Sequence, residues 1–505
     1  MMAESLVRSF VVGSILIIAA SAAALGEEGA ETGAKPPPGG TPWSQKDFVH
    51  PPLKCLAAYT RIDEFPISAW CFHGDSSDPA HPRSPYSEDY VRNAKAIGFN
   101  VLIDDDRILP YARKVGGVKV QLAKLWLNSG KLNQQVFSNP QVGDDPLIQG
   151  IVMGDNGRGF GSLQTEVADW LKKNYPYVAP IMSMYPARMR TDTAIRIWHM
   201  QNYPFMRGRS SNPPTHYMTI LNSDRLACNA NDMALFECYA GDASFSRIRF
   251  QMTAAMAYGA QGLSNFCYAP HKMPFYQPGN RLVPHWKKLH VYVIGVLGRH
   301  LWGTRCIDVI HSEHGGQPPG APAPGPERLV TEMSDFLLAG LLTPEAKFLS
   351  KDPKDKAVPE YFLVVDKRTG GETPEARDVY VKLSPQVAAV ELLDYEATGK
   401  AGKVRKIVPA CKVRASLEGG EALLLRVSPD LEKLLGGPEG MKLYAEINAM
   451  LANDAAAAAR AKAKAGELKK VLDAGVAAGT LLKPQAEDTL ARLTAAIDAA
   501  AAQAK

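Results

Sequence analysis

The chain has 505 residues, 46% of them hydrophobic and 22% charged, which is enough for two domains with sizeable cores. Its formal net charge of +5 comes from 57 basic and 52 acidic residues scattered along the chain, with no basic stripe interleaved with aromatics, which argues against a nucleic-acid partner. Seven cysteines (Cys55, Cys71, Cys228, Cys238, Cys267, Cys306 and Cys411) occur without a CxxC pair, which argues against a zinc ribbon or redox motif. One or two disulfides would fit an oxidising compartment, and the odd count leaves at least one thiol free.

The first 26 residues read as a signal peptide. Arg8 supplies the positive start, residues 10–20 an apolar core and residues 22–26 small side chains for cleavage. The apolar run is too short for a good membrane span, so the mature chain is expected to be secreted or periplasmic, with no stable membrane span after cleavage. Residues 27–42, with a Pro-Pro-Pro-Gly-Gly run, form a linker.

Eight strand-like runs follow, at 67–72, 100–104, 119–125, 149–153, 178–184, 195–201, 233–239 and 263–268. They are continuously apolar rather than alternating, as expected of parallel strands covered by helices. Residues 86–97, stopped by Gly98, and 162–174 are amphipathic helices between them. Strands alternating with helices at this spacing indicate βα units, and a count of eight favours a closed (β/α)8 TIM barrel over residues 43–313. No GxGxxG follows a strand, which disfavours a nucleotide-binding Rossmann sheet, and no GxSxG provides a serine-hydrolase elbow.

Residues 285–301 look like the barrel's closing helix, followed by a Pro- and Gly-rich loop at 314–327. The pattern then changes to short β runs at 361–366, 379–383, 389–393, 407–409 and 422–427, punctuated by Gly370-Gly371 and Gly419-Gly420. This is an all-β module of sandwich size over 328–429. An Ala-rich helical tail occupies 441–505, with helices at 454–473 and 483–502 that carry Leu472, Val476, Leu481, Leu490, Leu493 and Ile497. They read as a helical hairpin or a site for a partner helix, against the alternative of a solvated tail.

The segment 249–270, RFQMTAAMAYGAQGLSNFCYAP, is an apolar helix, a glycine-bearing turn and a buried strand. Its phrase AYGAQGLSNFCY resembles the final barrel strand of (β/α)8 glycoside hydrolases of the β-galactosidase-like kind. VELLDYEATGK followed by LEGGEALLLRVSP resembles the small β-sandwich that follows many such barrels. The resemblance extends over residues 65–429. It implies a carbohydrate substrate, hydrolysis of a glycosidic bond in a poly- or oligosaccharide, and two catalytic carboxyl groups at the ends of the fourth and seventh strands.

Cleavage of that bond needs one carboxyl to protonate the leaving oxygen and another to attack the anomeric carbon or activate water. In IQGIVMGDNGRG (148–159) the resemblance points to Asp155 as acid, while Asn156 stands where relatives carry Glu and cannot transfer a proton. Either Asp155 acts as acid with Asn156 bonding a sugar hydroxyl, or the barrel binds carbohydrate or serves as a scaffold without cleaving. In MALFECYAGD (233–242), Glu237 is the candidate nucleophile or base, because a lone carboxylate in an apolar strand is costly unless paired or used. A salt bridge to Arg247 or Arg249 is the structural alternative, and Asp242 the fallback carboxylate.

Strand ends supply the candidate sugar contacts: Trp70 and His73 on the first, Asp104 on the second, Gln201, Asn202 and Tyr203 on the sixth, Tyr239 on the seventh and Tyr268 on the eighth. Asp104, Asp105 and Asp106 together are a weak calcium signal, because no further oxygen ligands follow in sequence. His311 and His314 near Glu313 read as surface groups rather than metal ligands, and no cofactor is implied.

Overall fold

The computed structural model describes residues 48–503 except 72–85, 124–144, 154–161, 185–193, 202–212, 241–243, 269–282, 353–357, 371–374, 385, 388, 394–403, 410–411, 428–431, 433–434, 454–456 and 482. Residues 1–42, the expected signal peptide and linker, lie outside the described part.

The eight apolar runs become β1 Ile67–Cys71, β2 Val101–Asp104, β3 Lys119–Leu122, β4 Ile148–Val152, β5 Ala179–Met184, β6 Ile197–Gln201, β7 Ala234–Ala240 and β8 Gly262–Tyr268. Each pairs in parallel with the next, and β8 pairs with β1, so the sheet closes into a barrel. Helices cover its outside: α1 Glu88–Ala96, α2 Leu109–Val115, α3 Ser162–Asn174, α4 Pro213–Asn231, α5 Phe245–Ala257 and α6 Val283–Tyr292. Ser87 caps α1, its hydroxyl accepting from the Tyr90 amide at 3.2 Å. Gly98 ends the same unit at φ +104°, where a Cβ would lie 2.5 Å from the His290 Cβ, so only glycine lets α1 turn tightly into β2.

Strands of such a barrel are covered by helices on one face and by each other across the lumen on the other, which is why they read as unbroken apolar runs. The expected (β/α)8 architecture is the observed one.

Beyond α6 the chain passes through a π-helical turn, Val293–Gly298, and enters two antiparallel sheets. Their strands are β9 Thr304–His311, β10 Val330–Met333, β11 Leu337–Pro344, β12 Tyr361–Asp366, β13 Arg377–Leu383, β14 Ala389–Leu393, β15 Val404–Pro409, β16 Val413–Leu417 and β17 Ala422–Val427. The larger sheet has the order β15-β14-β17-β12-β11-β9, and the smaller β10-β13-β16. The first strand of the larger sheet thus starts at Thr304, ahead of the Pro-rich loop. His311 at its end is buried and accepts or donates to the Tyr258 hydroxyl at 2.9 Å, so it is a core group and not the surface histidine expected.

The larger sheet is apolar on both faces because both are covered. Tyr361, Leu363 and Val365 of β12 join the barrel core, while Phe362 and Val364 face the smaller sheet. The remaining chain folds as α7 Pro438–Asn453, α8 Ala458–Ala477 and α9 Lys483–Gln503. Leu443, Tyr444, Ile447, Ala461, Leu468, Leu472, Leu493 and Ile497 form a core among these helices. Alanines at the contacts let the helices approach closely, which compensates for the small number of large apolar side chains.

Candidate functional site

The direction of each strand residue decides what the barrel can do. Trp70 of β1 and His199 of β6 belong to strands that are not neighbours, yet their ring centroids are 6.3 Å apart, so both side chains point into the lumen. His199 also meets Phe236 of β7 at 5.6 Å. Residues in register with these share their face. Ile103 and Gln121 therefore line the lumen beside Trp70, and Ser183 lines it beside His199. Gln121 Nε2 donates to Gln149 Oε1 at 3.0 Å, which brings Gln149 of β4 inside as well. Gln201 and Ser264, two residues on from His199 and Gly262, fall on the same inward face.

Phe236 can lie across the floor because its neighbour on β8 is Gly262. A Cβ at that position would stand 2.3 Å from Phe236 Cδ1. Gly259, at φ +94°, closes the preceding turn. The two glycines of AYGAQG are thus required by a close approach and by a backbone conformation, respectively.

The lumen is polar and incompletely satisfied. Trp70 Nε1, Gln121 Oε1, Gln149 Nε2, Ser183 Oγ, both His199 ring nitrogens and Ser264 Oγ are buried with no hydrogen-bond partner among the described residues. Buried polar atoms are nearly always bonded to protein, water or ligand, and leaving one unmet costs about 1–3 kcal/mol. Burial lowers the His199 pKa to about 3, so its imidazole is neutral and offers one donor and one acceptor. Sequence reading singled out Trp70 and Gln201 but missed His199, Ser183, Gln121 and Gln149. The available signal was alternation: in IWHMQ, Gln201 and His199 must share a face.

Glu237 belongs to the other face. It is in register with Met200 and Leu263, one step out of phase with the lumen residues His199 and Phe236. Its carboxyl lies against that of Asp224 on α4, and both residues are 0% exposed. Asp224 occupies the inward stripe of α4 with Tyr217, Leu221 and Cys228, which carries it to the back of β7. Burial, reinforced by the Asp224 charge, raises the Glu237 pKa well above its ordinary value, and burial raises Asp224 to about 8. Neither arginine suggested by sequence serves as counter-ion: Arg249 bonds Glu418 and the Gly419 carbonyl of the sandwich, and Arg247 forms no ion pair with Glu237, whose oxygens have no hydrogen-bonded cation.

Tyr268 also faces the helices. Its ring packs on Tyr90 at 4.8 Å and Phe99 at 5.7 Å, and its carbonyl accepts from the Tyr90 hydroxyl at 2.6 Å. Asp104, one residue past the inward Ile103, accepts from the Tyr86 hydroxyl at 3.4 Å and from the Asp105 amide at 2.8 Å. Asp105 is held by Arg107 through bonds of 2.5 to 3.0 Å, and no group of three potential metal-ligating residues occurs among the described residues. Tyr239 is in register with Asn265 on β8. Asp155, Asn156, His73, Asn202, Tyr203 and Asp242 lie outside the described residues. The described cysteines Cys55, Cys71, Cys228 and Cys306 are free thiols.

No protein-family model matches the chain, and no curated protein sequence matches it. Among solved structures it is similar to a glycoside hydrolase, 12% identical, over 73% of this chain and 93% of that one, with a TM-score of 0.45. A family 30 subfamily 8 xylanase from Clostridium acetobutylicum is 7% identical over 75% of this chain and 97% of its own, with a TM-score of 0.40. A putative alpha-L-fucosidase from Bacteroides thetaiotaomicron is 13% identical over 46% and 96%, with a TM-score of 0.33. These likenesses are of fold alone. The fold itself is a closed (β/α)8 barrel followed by two antiparallel sheets.

Proposed function

We propose that this chain is a secreted, glycoside hydrolase-like protein that binds a poly- or oligosaccharide at the carboxyl end of its barrel. What supports this most is the closed (β/α)8 barrel, because enzymes of this fold carry their sites at the carboxyl ends of the strands, and Trp70 stands near that end of β1. Sugars offer flat CH faces to an indole and hydroxyls, both donor and acceptor, to amides, imidazole and serine. Secretion is carried by residues 1–26 of the sequence.

In the hydrolytic form of this reading Asp155, just beyond β4, donates the proton to the leaving oxygen and Asn156 bonds a sugar hydroxyl. The second carboxyl then comes from a loop at the barrel mouth, because Glu237 faces α4 and Asp224. A second reading, binding without cleavage, is favoured by one observation: the eight barrel strands contain two carboxylates, Asp104 and Glu237, and both are out of phase with the lumen residues.

The test is a screen of the mature protein against a broad glycan panel, reading reducing ends and binding together. Released sugar that falls by about 100-fold or more in Asp155→Asn, with binding retained, establishes hydrolysis through that acid. Binding without release establishes the second reading. A panel that is neither bound nor cleaved overturns both.

A further inference from the structure

The N-terminus of α4 meets the β-sandwich at two glycines. The loop after β9 carries Gly315 and Gly316 at φ +82° and +85°, the left-handed region that favours glycine. A Cβ on Gly316 would stand 3.0 Å from the Thr215 amide nitrogen in the first turn of α4, and one on Gly315 would stand 2.9 Å from Lys367 Cβ, just past β12. The loop therefore holds Lys367 close to the start of a 19-residue helix. A cavity of about 560 Å³ opens there, bounded by Pro214 of α4, the two glycines, Phe336 and residues 367–370.

Lys367 is 1% exposed and has no counter-ion. Its Nζ donates at 2.9 Å to the carbonyls of Ser312 and Gly316, and it makes no ion pair among the described residues, which leaves one ammonium hydrogen and the charge unmatched. The acids around it are engaged elsewhere: Asp366 bonds Arg368 and Arg377, and Asp335 pairs with His314. A charge out of water is costly unless it is matched, and burial lowers the Lys367 pKa to about 7. Two cationic side chains, Lys367 and Arg368, line the cavity and no acidic one does. The dipole of α4 adds positive potential at its N-terminus.

We propose that this cavity binds a small oxyanion (a sulfate, phosphate or carboxylate), for which Lys367 supplies the counter-charge from the inner wall and α4 its N-terminal dipole. The site does not depend on the carbohydrate reading above. The charged or titratable groups around Lys367 are His311, Asp335, Asp366 and Arg368, with His314 stacked on Phe336.

Isothermal titration calorimetry on the full chain, in chloride buffer of constant ionic strength, would use sodium sulfate, sodium phosphate and sodium glucuronate as probes. At least one should bind above the chloride background, and that binding should weaken by about tenfold or more in Lys367→Met, which removes a buried charge but keeps the apolar stem. Gly370→Asp carries the test if the methionine variant does not fold. Its added Cβ meets nothing within 4 Å, and its negative charge at the cavity should weaken binding several fold. Sulfate keeps its own charge, so its affinity should fall by about tenfold between about pH 6 and about pH 8 as Lys367 loses its proton. Sulfate or phosphate binding more tightly than glucuronate supports the proposal and assigns a free inorganic anion. The reverse order supports it and assigns the carboxylate of an acidic sugar. Binding by none of the three overturns the proposal, as does binding that both substitutions leave untouched or a pH dependence that persists in Lys367→Met.

Discussion

Glu237 and Asp224 face each other between β7 and α4, both fully buried and with no cation hydrogen-bonded to either among the described residues. Two carboxylates cannot both ionise there, so the folded protein holds protons that the unfolded chain releases. Both folded pKa values are raised, Asp224 to about 8 and Glu237 well above its ordinary value. The pair's contribution to stability is therefore fully present below the unfolded carboxylate range, near pH 4, and is lost as pH rises through about 8. Glu237→Gln removes one titrating group and gives Asp224 an amide donor. Urea midpoints measured from about pH 4 to about pH 9 should fall less steeply in that variant than in the parent. Parallel slopes would contradict the buried dyad. The same variant should leave glycan binding and any cleavage unchanged, because the side chain is on the helix side of the sheet. The sequence correctly indicated that a carboxylate in this apolar strand needs a partner. It could not name another acid on the preceding helix, since that pairing depends on which face of β7 looks outward.

Where elements meet, glycines set how closely the sandwich docks on the barrel. A Cβ at Gly340 of β11 would sit 2.1 Å from the Ala257 carbonyl at the end of α5. Gly420, at φ +77°, would place one 2.5 Å from the Ser246 carbonyl, while the Gly420 carbonyl accepts from the Thr253 hydroxyl at 2.9 Å and Arg249 donates to the Gly419 carbonyl. Gly340→Ala must push the sheet away from α5 and should cost about 1–3 kcal/mol in urea denaturation, as overpacking of a close interface does. A midpoint equal to the parent's would show that the contact is soft. Sequence reading placed β12, β14 and β17 at their observed limits because each is an apolar run between turn residues. It missed the short β10 and β16, β9, whose buried and half-buried residues follow no clean alternation, and β11, whose apolar run is interrupted by Gly340.

At the scale of the molecule, the barrel and the facing side of the larger sheet share one apolar core, and a second lies between the two sheets. Leu338, Leu342, Tyr361, Leu363, Val365 and Leu424 of the larger sheet are continuous with the barrel's buried residues, whereas α7 to α9 have a core of their own. Barrel and sandwich should therefore unfold in one transition and the helical bundle independently. Removing residues 435–505 is expected to leave that transition, and glycan binding, in place. Loss of soluble barrel on truncation would mean that the contact of α9 with β15 is indispensable. Among the described residues, no helix is long and apolar enough to cross a membrane.

The eight barrel strands, the helices α1, α3 and α5 between them and the change to short β runs could be read from the chain, whereas α2 and α4 were not. Backbone polar groups and apolar side chains must be covered together, and continuous apolar runs broken by glycine and proline have few other solutions. The inward or outward direction of each strand residue was decided by tertiary structure alone. Alternation divides a strand into two faces, but when helices bury one and the lumen the other, both faces are buried and the sequence does not say which is which. Closure of the sheet settled the matter for Glu237 and Tyr268, turning them to the helices, and for His199, Ser183, Gln121 and Gln149, turning them to the lumen.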